Sequence, residues 1–255
     1  METLRVEGLS KNFGGVQALR DVTFSVEVGE RLVIIGPNGA GKTTLFNVLN
    51  GQLEATNGRI YFYGKDITSL ATHRRAHLGQ SRSFQITSLF PPLTVLENCL
   101  LALQGTQPSR FQMFRSITAY KHLFTKAQQM LEVVDLWEKR EEPVKNISHG
   151  EQRRLEIAIS LASQPKLLLL DEPSAGLTAG ESADVVDMIR NMGKDITAII
   201  VAHDMDLVFG VAERIMVLHY GQIITEGAPD IVRNDSRVRE IYMGAGEDTE
   251  DAGTV

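Results

Sequence analysis

Nine consecutive residues, Gly36-Pro37-Asn38-Gly39-Ala40-Gly41-Lys42-Thr43-Thr44, follow directly on the apolar run Leu32-Val33-Ile34-Ile35 and complete the pattern G-x-x-x-x-G-K-[ST]. A strand, a glycine-rich turn and a helix beginning near Thr43 leave few folds open. In that arrangement several backbone N–H groups and the positive end of a helix converge on one spot, which suits a polyphosphate. Lys42 would reach the outer phosphates as a point charge, and the Thr43 hydroxyl would be a ligand for a magnesium ion held between phosphate oxygens. The alternative is an ordinary strand-to-helix turn that happens to be rich in glycine. Four fixed positions and two agreeing flanks weigh against it.

At 255 residues the chain can hold one large α/β domain with an insertion. Its net charge of −6, from 32 acidic and 26 basic side chains, argues against nucleic acid as a partner of its surface at large. The single cysteine, Cys99, lies among apolar neighbours and reads as a buried small hydrophobe; a chain with one cysteine has no disulfide framework, as in a reducing compartment. No stretch approaches the roughly 18 to 20 apolar residues that span a bilayer. The N-terminus reads as the start of a strand rather than an export signal. Residues 245–255 are acidic and glycine-rich, the composition of a flexible tail.

Alternating segments at Leu4 to Leu9, Val22 to Val28 and Arg59 to Tyr63 predict half-buried antiparallel strands. From about Thr94 to Leu161 the period becomes helical, with one helix opening at Thr94 and another over Tyr120 to Trp137. Buried-type runs return at Lys166 to Leu170, Ile196 to Val201 and Arg214 to Leu218, with a helical segment at Gly180 to Met192. Strands alternating with helices imply a parallel sheet. The expected fold class is therefore α/β: a P-loop NTPase core with a mixed sheet, an N-terminal antiparallel β subdomain and an inserted α-helical subdomain. The expected division is a single domain over 1–244, with its core at 1–85 and 164–244 and the helical subdomain at about 86–163.

Two further segments carry chemistry. The apolar strand Leu167-Leu168-Leu169-Leu170 ends in Asp171-Glu172. Ligands of such sheets lie beyond the carboxyl ends of the strands, so Asp171 would emerge beside the phosphate loop and hold magnesium. Glu172 would orient, or take a proton from, the water attacking the terminal phosphate. Asn146-Ile147-Ser148-His149-Gly150-Glu151 then offers a serine and a glycine at a helix start, which favours an anion, although an isolated Ser-x-Gly is more often a plain N-cap.

At this point the chain resembles the ATP-binding cassette (ABC) ATPases, whose signature Leu-Ser-Gly-Gly-Gln appears here as Ile147-Ser148-His149-Gly150-Glu151, shortly before the strand ending in Asp-Glu. The resemblance covers about Leu4 to Gly244 and implies further roles. Phe13 matches the aromatic residue on which adenine stacks. Gln85 matches the glutamine that touches magnesium and the attacking water while linking core to helical subdomain. His203 matches the histidine that contacts the terminal phosphate, and Ser174 to Leu177 the loop through which two sites of a dimer communicate. Three residues depart from the family pattern: His149 and Glu151 in the signature, and Thr178 where many members carry aspartate.

The resemblance implies that ATP, with Mg2+, is bound between two copies, the loop of residues 36–44 of one facing Ser148 and Gly150 of the other. Lys42, Gln85, Glu172 and His203 would then carry hydrolysis, and Thr43, Gln85 and Asp171 the metal. Within the family the chain is most similar to ATPases of branched-chain amino acid and urea importers, through Asp171 to Leu177 and the ending Gly221 to Gly227 and Arg237 to Gly244. The implied partners are a second ATPase subunit, identical or paralogous, two transmembrane permease subunits docking at the helical subdomain, and indirectly a solute-binding protein. The implied location is the cytoplasmic face of the membrane. Phe90, Leu93 and Val95 are candidates for lining the docking groove, with subdomain core as the competing role, and Phe111 to Phe114 could rest near the membrane. Competing functions are the ATPase of a lipid or lipopolysaccharide exporter and a soluble cassette of the iron–sulfur assembly type.

Overall fold

The computed structural model describes residues 1–83, 89–105 and 121–244, with side chains through residue 241. The acidic tail and Phe111 to Phe114 lie outside the described residues. Two sheets face one another. The smaller has the order β2-β1-β4-β5, built from β1 (Glu2–Phe13), β2 (Val16–Glu27), β4 (Asn57–Phe62) and β5 (Lys65–Asp66), all antiparallel. The larger has the order β10-β9-β3-β8-β7-β6, in which β3 (Arg31–Ile35), β6 (Gln80–Ser83), β7 (Leu167–Asp171), β8 (Thr197–Val201) and β9 (Arg214–His219) are parallel. At its edge β10 (Gln222–Gly227) runs antiparallel to β9.

The unbroken apolar runs of β3, β7, β8 and β9 arise because both faces of this sheet are covered. Leu32, Ile34, Leu167, Leu169, Ile199, Val201, Met216 and Leu218 point toward the antiparallel sheet and α1 (Lys42–Leu49). The alternate set, Val33, Ile35, Leu168, Leu170, Ala198, Ile200, Ile215 and Val217, points the other way. It meets α6 (Ala179–Arg190), α7 (Met205–Val211), α8 (Pro229–Asn234), α9 (Ser236–Gly244) and Ile157 of α5 (His149–Leu161).

A third core belongs to the segment between β6 and β7. Leu96, Cys99 and Leu103 of α3 (Val95–Gly105) pack on Leu123, Ala127 and Leu131 of α4 (Lys121–Val133) and on Leu155 and Ala158 of α5. Thr94 opens α3: its hydroxyl accepts from the Glu97 amide while the Glu97 carboxylate accepts from the Thr94 amide. Helix α5 thus puts one stripe into the second core and another into the third. Cys99 is fully buried, and burial pushes its thiol up to about 12, which fits an inert packing residue.

Several expectations need correction. The helix expected over Tyr120 to Trp137 stops at Val133, because the chain turns through Asp135 at φ 54° and continues as a short 3-10 turn at Trp137–Lys139. Val95 is wholly buried in the third core, so it does not line a surface groove, whereas Phe90 is 57% exposed. The polar strand β6 and the edge strand β10 have no counterpart among the runs predicted from periodicity. Short polar strands at a sheet edge give a weak period-2 signal.

The C-terminal end of α1 is satisfied by a side chain from far outside it. Arg75, of the short α2 (Thr72–His77), donates from Nη1 to the Val48 and Leu49 carbonyls at 2.9 and 2.6 Å, from Nε to Leu70 and from Nη2 to Thr68. The guanidinium is 2% exposed, and burial lowers it to about 10. Arg75→Ala removes four hydrogen bonds from this corner, leaving the Val48 carbonyl to the Gly51 amide and the Leu49 carbonyl to Gln80 Nε2, and should cost about 3 kcal/mol of stability, read from the midpoint of urea unfolding.

Candidate active site

Strand register places the chemistry. Ile34 of β3 and Asp171 of β7 both stand opposite Val201 of β8, so three neighbouring strands finish level with one another. Their continuations deliver the glycine-rich loop, Asp171-Glu172 and His203 to one rim. This is where ligands lie in parallel sheets of this kind.

The loop takes its shape from backbone that only glycine enters freely. Gly39 and Gly41 have φ of 78° and 103°. A Cβ at Gly41 would stand 2.7 Å from the Ala18 carbonyl oxygen, and one at Gly36 would collide with that of Leu218. Gly41 is also the N-cap of α1 and supplies no side-chain cap, which leaves the first amides of the helix directed into the cleft. Lys42 is 9% exposed, and its ammonium donates to the Gly36 and Pro37 carbonyls at 2.6 and 2.9 Å. Burial lowers its pKa from the ordinary lysine value, and the charges of Glu172 and Asp171 oppose that shift.

A cleft of about 370 Å³ opens here, lined by Asn38 to Thr44, Glu172, Tyr220 and, from the start of β2, Val16 to Ala18 and Arg20. Phe13 is not among the residues lining the cleft, but it stands across the β1–β2 hairpin from Val16, which is; both are exposed, at 47% and 67%. Glu172 has the left-handed φ of 47°, and its amide donates to Val201. His203 Nδ1 lies 3.4 Å from Glu172 Oε1. Gln85 lies outside the described residues.

Among the described residues, no three His, Cys, Asp or Glu side chains are grouped to hold a metal ion. Magnesium usually takes one or two protein oxygens and completes its shell with phosphate and water. The Thr43 hydroxyl and the Asp171 carboxylate are donors of the right hardness for it.

Two arginines that sequence reasoning did not single out hold this rim together. Arg82 of β6 pairs with Asp171 Oδ2 at 2.9 Å, both side chains buried, and its Nη1 donates to Asn47 Oδ1 and Gln52 Oε1. Arg153 of α5 donates to the carbonyls of Asp171, Glu172 and Pro173 at 2.8 to 3.0 Å and pairs with buried Glu156. The only sequence signal for either is a basic residue inside a segment that must otherwise pack.

Ser148 and Gly150 do not line this cleft. Ser148 caps α5 in a reciprocal box with Glu151, whose second oxygen takes Lys139 Nζ at 2.6 Å. A glutamine could close the same box, so what Glu151 adds is the ion pair with Lys139. Thr178 makes the same kind of box with Glu181 at the start of α6.

Fold and site together define a P-loop ATPase of the cassette type. A family model described as "ABC transporter" matches residues 19–175, and one described as "Branched-chain amino acid ATP-binding cassette transporter" matches residues 222–248. The chain is 36% identical to the high-affinity branched-chain amino acid transport ATP-binding protein LivG of Salmonella typhimurium, over 94% of this chain and 97% of that one. It is 35% identical to BraF of Pseudomonas aeruginosa over the same shares. Among solved structures, the ADP conformation of an ATP-binding cassette of an ABC transporter superposes with a TM-score of 0.83 at 35% identity, covering 96% of this chain and 99% of the other. A dimeric cassette in a post-hydrolysis state, bound to ADP and Pi, gives 0.74 at 25% identity over 88% and 98%. The chain belongs to the ABC transporter family and is an ATP-hydrolysing, ATP-binding subunit of it. The relatives support the importer reading over the exporter and iron–sulfur alternatives. Among the described residues no helix is long and apolar enough to cross a membrane.

Arg82→Met leaves Asp171 buried without its cation and should cost about 3 kcal/mol or more in urea unfolding. Combining it with Asp171→Asn should recover part of that loss, giving a coupling on the order of 2 kcal/mol in a double-mutant cycle. Additive losses would show that the pair does not act as a unit.

Proposed function

We propose that two copies of this chain, or one copy and a paralogue, close over two ATP molecules and power uptake of branched-chain amino acids through two membrane-spanning permease subunits. The observation that carries this is the division of the phosphate-directed groups. Lys42, Thr43, Thr44 and Glu172 line one cleft, whereas Ser148 and Gly150 stand at a helix start that does not. A second subunit, facing the first head to tail, would bring a nucleotide to that start. The solved dimer of a related cassette with ADP and Pi supports such a pairing. By linkage, a ligand that touches both halves only when they are closed shifts the pair toward closure, and its hydrolysis releases it.

Each residue then has a physical task. Phe13, beside Val16, gives adenine an apolar face. The amides of residues 39–44 and the Lys42 ammonium surround the phosphates, with Gly36, Pro37 and Asn38 shaping the turn. Thr43, Asp171 and Gln85 would hold magnesium, which supplies charge neutralisation when bound. Glu172 orients the attacking water or accepts its proton, and His203, in reach of the Glu172 carboxylate, meets the terminal phosphate.

The helical part of about residues 86–163 serves as the output surface, with exposed Phe90 receiving a permease helix at the cytoplasmic face of the membrane. LivG, BraF and the match over residues 222–248 support branched-chain amino acids as the solute class. The permease and a solute-binding protein, rather than this chain, would contact that solute.

Glu172→Gln should retain ATP binding, measured with a fluorescent nucleotide, while turnover falls about a hundredfold or more. Turnover near the parent rate would remove Glu172 from the chemistry. In membrane vesicles carrying the co-purified permeases, Phe90→Asp should keep ATP binding and abolish amino acid uptake. Loss of nucleotide binding in that variant would instead make Phe90 a structural residue.

A further inference from the structure

The start of α5 already holds an anion supplied by the chain itself. Glu181 Oε1 accepts from the Gly150 amide at 3.1 Å and from the Ser148 hydroxyl at 3.3 Å. Its other oxygen, Oε2, accepts from the Thr178 amide and hydroxyl at 3.0 and 2.9 Å. One carboxylate thus bridges the starts of two helices, α5 and α6.

This contact is additional to the cap of α5. The Glu151 amide is taken by Ser148 Oγ and the Ser148 amide by Glu151, so the reciprocal box is complete without Glu181. What Glu181 adds is an acceptor for Gly150 at the second position of the helix, the kind of amide that helix starts present to phosphate oxygens. Glycine at 150 is what admits it: a Cβ there would stand 2.5 Å from the Glu181 carboxyl. The Thr178 amide, then its hydroxyl, hold this carboxyl below its ordinary pKa, with smaller contributions from Gly150 and Ser148.

We propose that Glu181 occupies the phosphate position of the α5 start and must withdraw before Ser148 and Gly150 engage the terminal phosphate of a nucleotide held by a second subunit. The inference rests on the closure described under Proposed function. Glu181 is then a residue that sets the ATP concentration at which the subunits close. Only the fraction of chains with Glu181 withdrawn is competent, and the apparent dissociation constant is the intrinsic one divided by that fraction. Because the same carboxylate is anchored on Thr178, directly after the loop Ser174 to Leu177, its withdrawal also removes one tie between α5 and the end of that loop, while Arg153 keeps its hold on Pro173.

The test uses the full chain carrying Glu172→Gln, with magnesium ATP titrated and dimer followed by sedimentation velocity. Adding Glu181→Gln, which removes the charge, should lower the ATP concentration at half-dimerisation about five- to tenfold. Adding Glu181→Asp, which keeps an acid in the first turn of α6 but draws it back from Gly150, should shift it the same way. ATP affinity of the isolated monomer should be unchanged in both. If Glu172→Gln dimerises with ATP but neither variant moves the midpoint downward, Glu181 is only a helix cap and the inference falls while closure stands. If Glu172→Gln binds ATP yet never dimerises, closure itself fails and takes the inference with it.

Discussion

The level ending of β3, β8 and β7 is the constraint on which this molecule depends. A glycine-rich loop, a carboxylate pair and a histidine come from three distant parts of the chain. They share a rim only because Ile34 and Asp171 pair with the same Val201. A register slip of one residue would turn each strand's inward set outward, and both faces of this sheet are buried, so such a slip would disrupt two cores at once. Hydrophobic burial thus sets the level of the strand ends, and Arg82 and Arg153 then fix the carboxylate pair upon that rim.

Helix α5 links that rim to the rest of the molecule. Its stripes enter the second and third cores, its first turn presents Ser148 and Gly150, and its Arg153 grips the carbonyls around Glu172. Interiors packed at crystal-like density transmit displacement rather than absorb it. A shift at the start of α5 is therefore felt both at Glu172 and in the helical part that carries Phe90.

Much of this was legible from residues alone, and the reason is local. The loop of residues 36–44 is contiguous, its glycines are required by its own backbone, and the flanking runs are buried on both faces, so each leaves an unambiguous period or spacing. Asp171-Glu172 was legible for the same reason. Arg82, Arg153, Arg75 and Glu181 were not, because their tasks are defined by partners 18 to 89 residues away. An isolated basic or acidic residue has the same appearance in a sequence whether it is solvated or buried against carbonyls. Val95 illustrates the converse. It stands beside the exposed Phe90 and the half-buried Leu93, but Thr94 starts a helix there, and the helical turn carries Val95 inward.

Unlike the uncapped first amides of α1, the Lys42 ammonium and the groups at the α5 start are already satisfied by oxygen from the chain. Lys42 rests on the Gly36 and Pro37 carbonyls, and Gly150 and Ser148 on Glu181. Nucleotide binding at such groups is an exchange of acceptors, and the net gain per hydrogen bond is a difference between two similar terms. The exchange is asymmetric, however. At Lys42 a neutral carbonyl gives way to a charged phosphate, which strongly favours the ligand. At the α5 start a carboxylate gives way to a phosphate, charge for charge, so the gain is small. On the closure proposed above, this asymmetry orders the events: nucleotide settles first on the loop of its own subunit, and capture by the opposing helix start is the weaker, readily reversed step. A cycle that must close and reopen at every turnover is served by that imbalance.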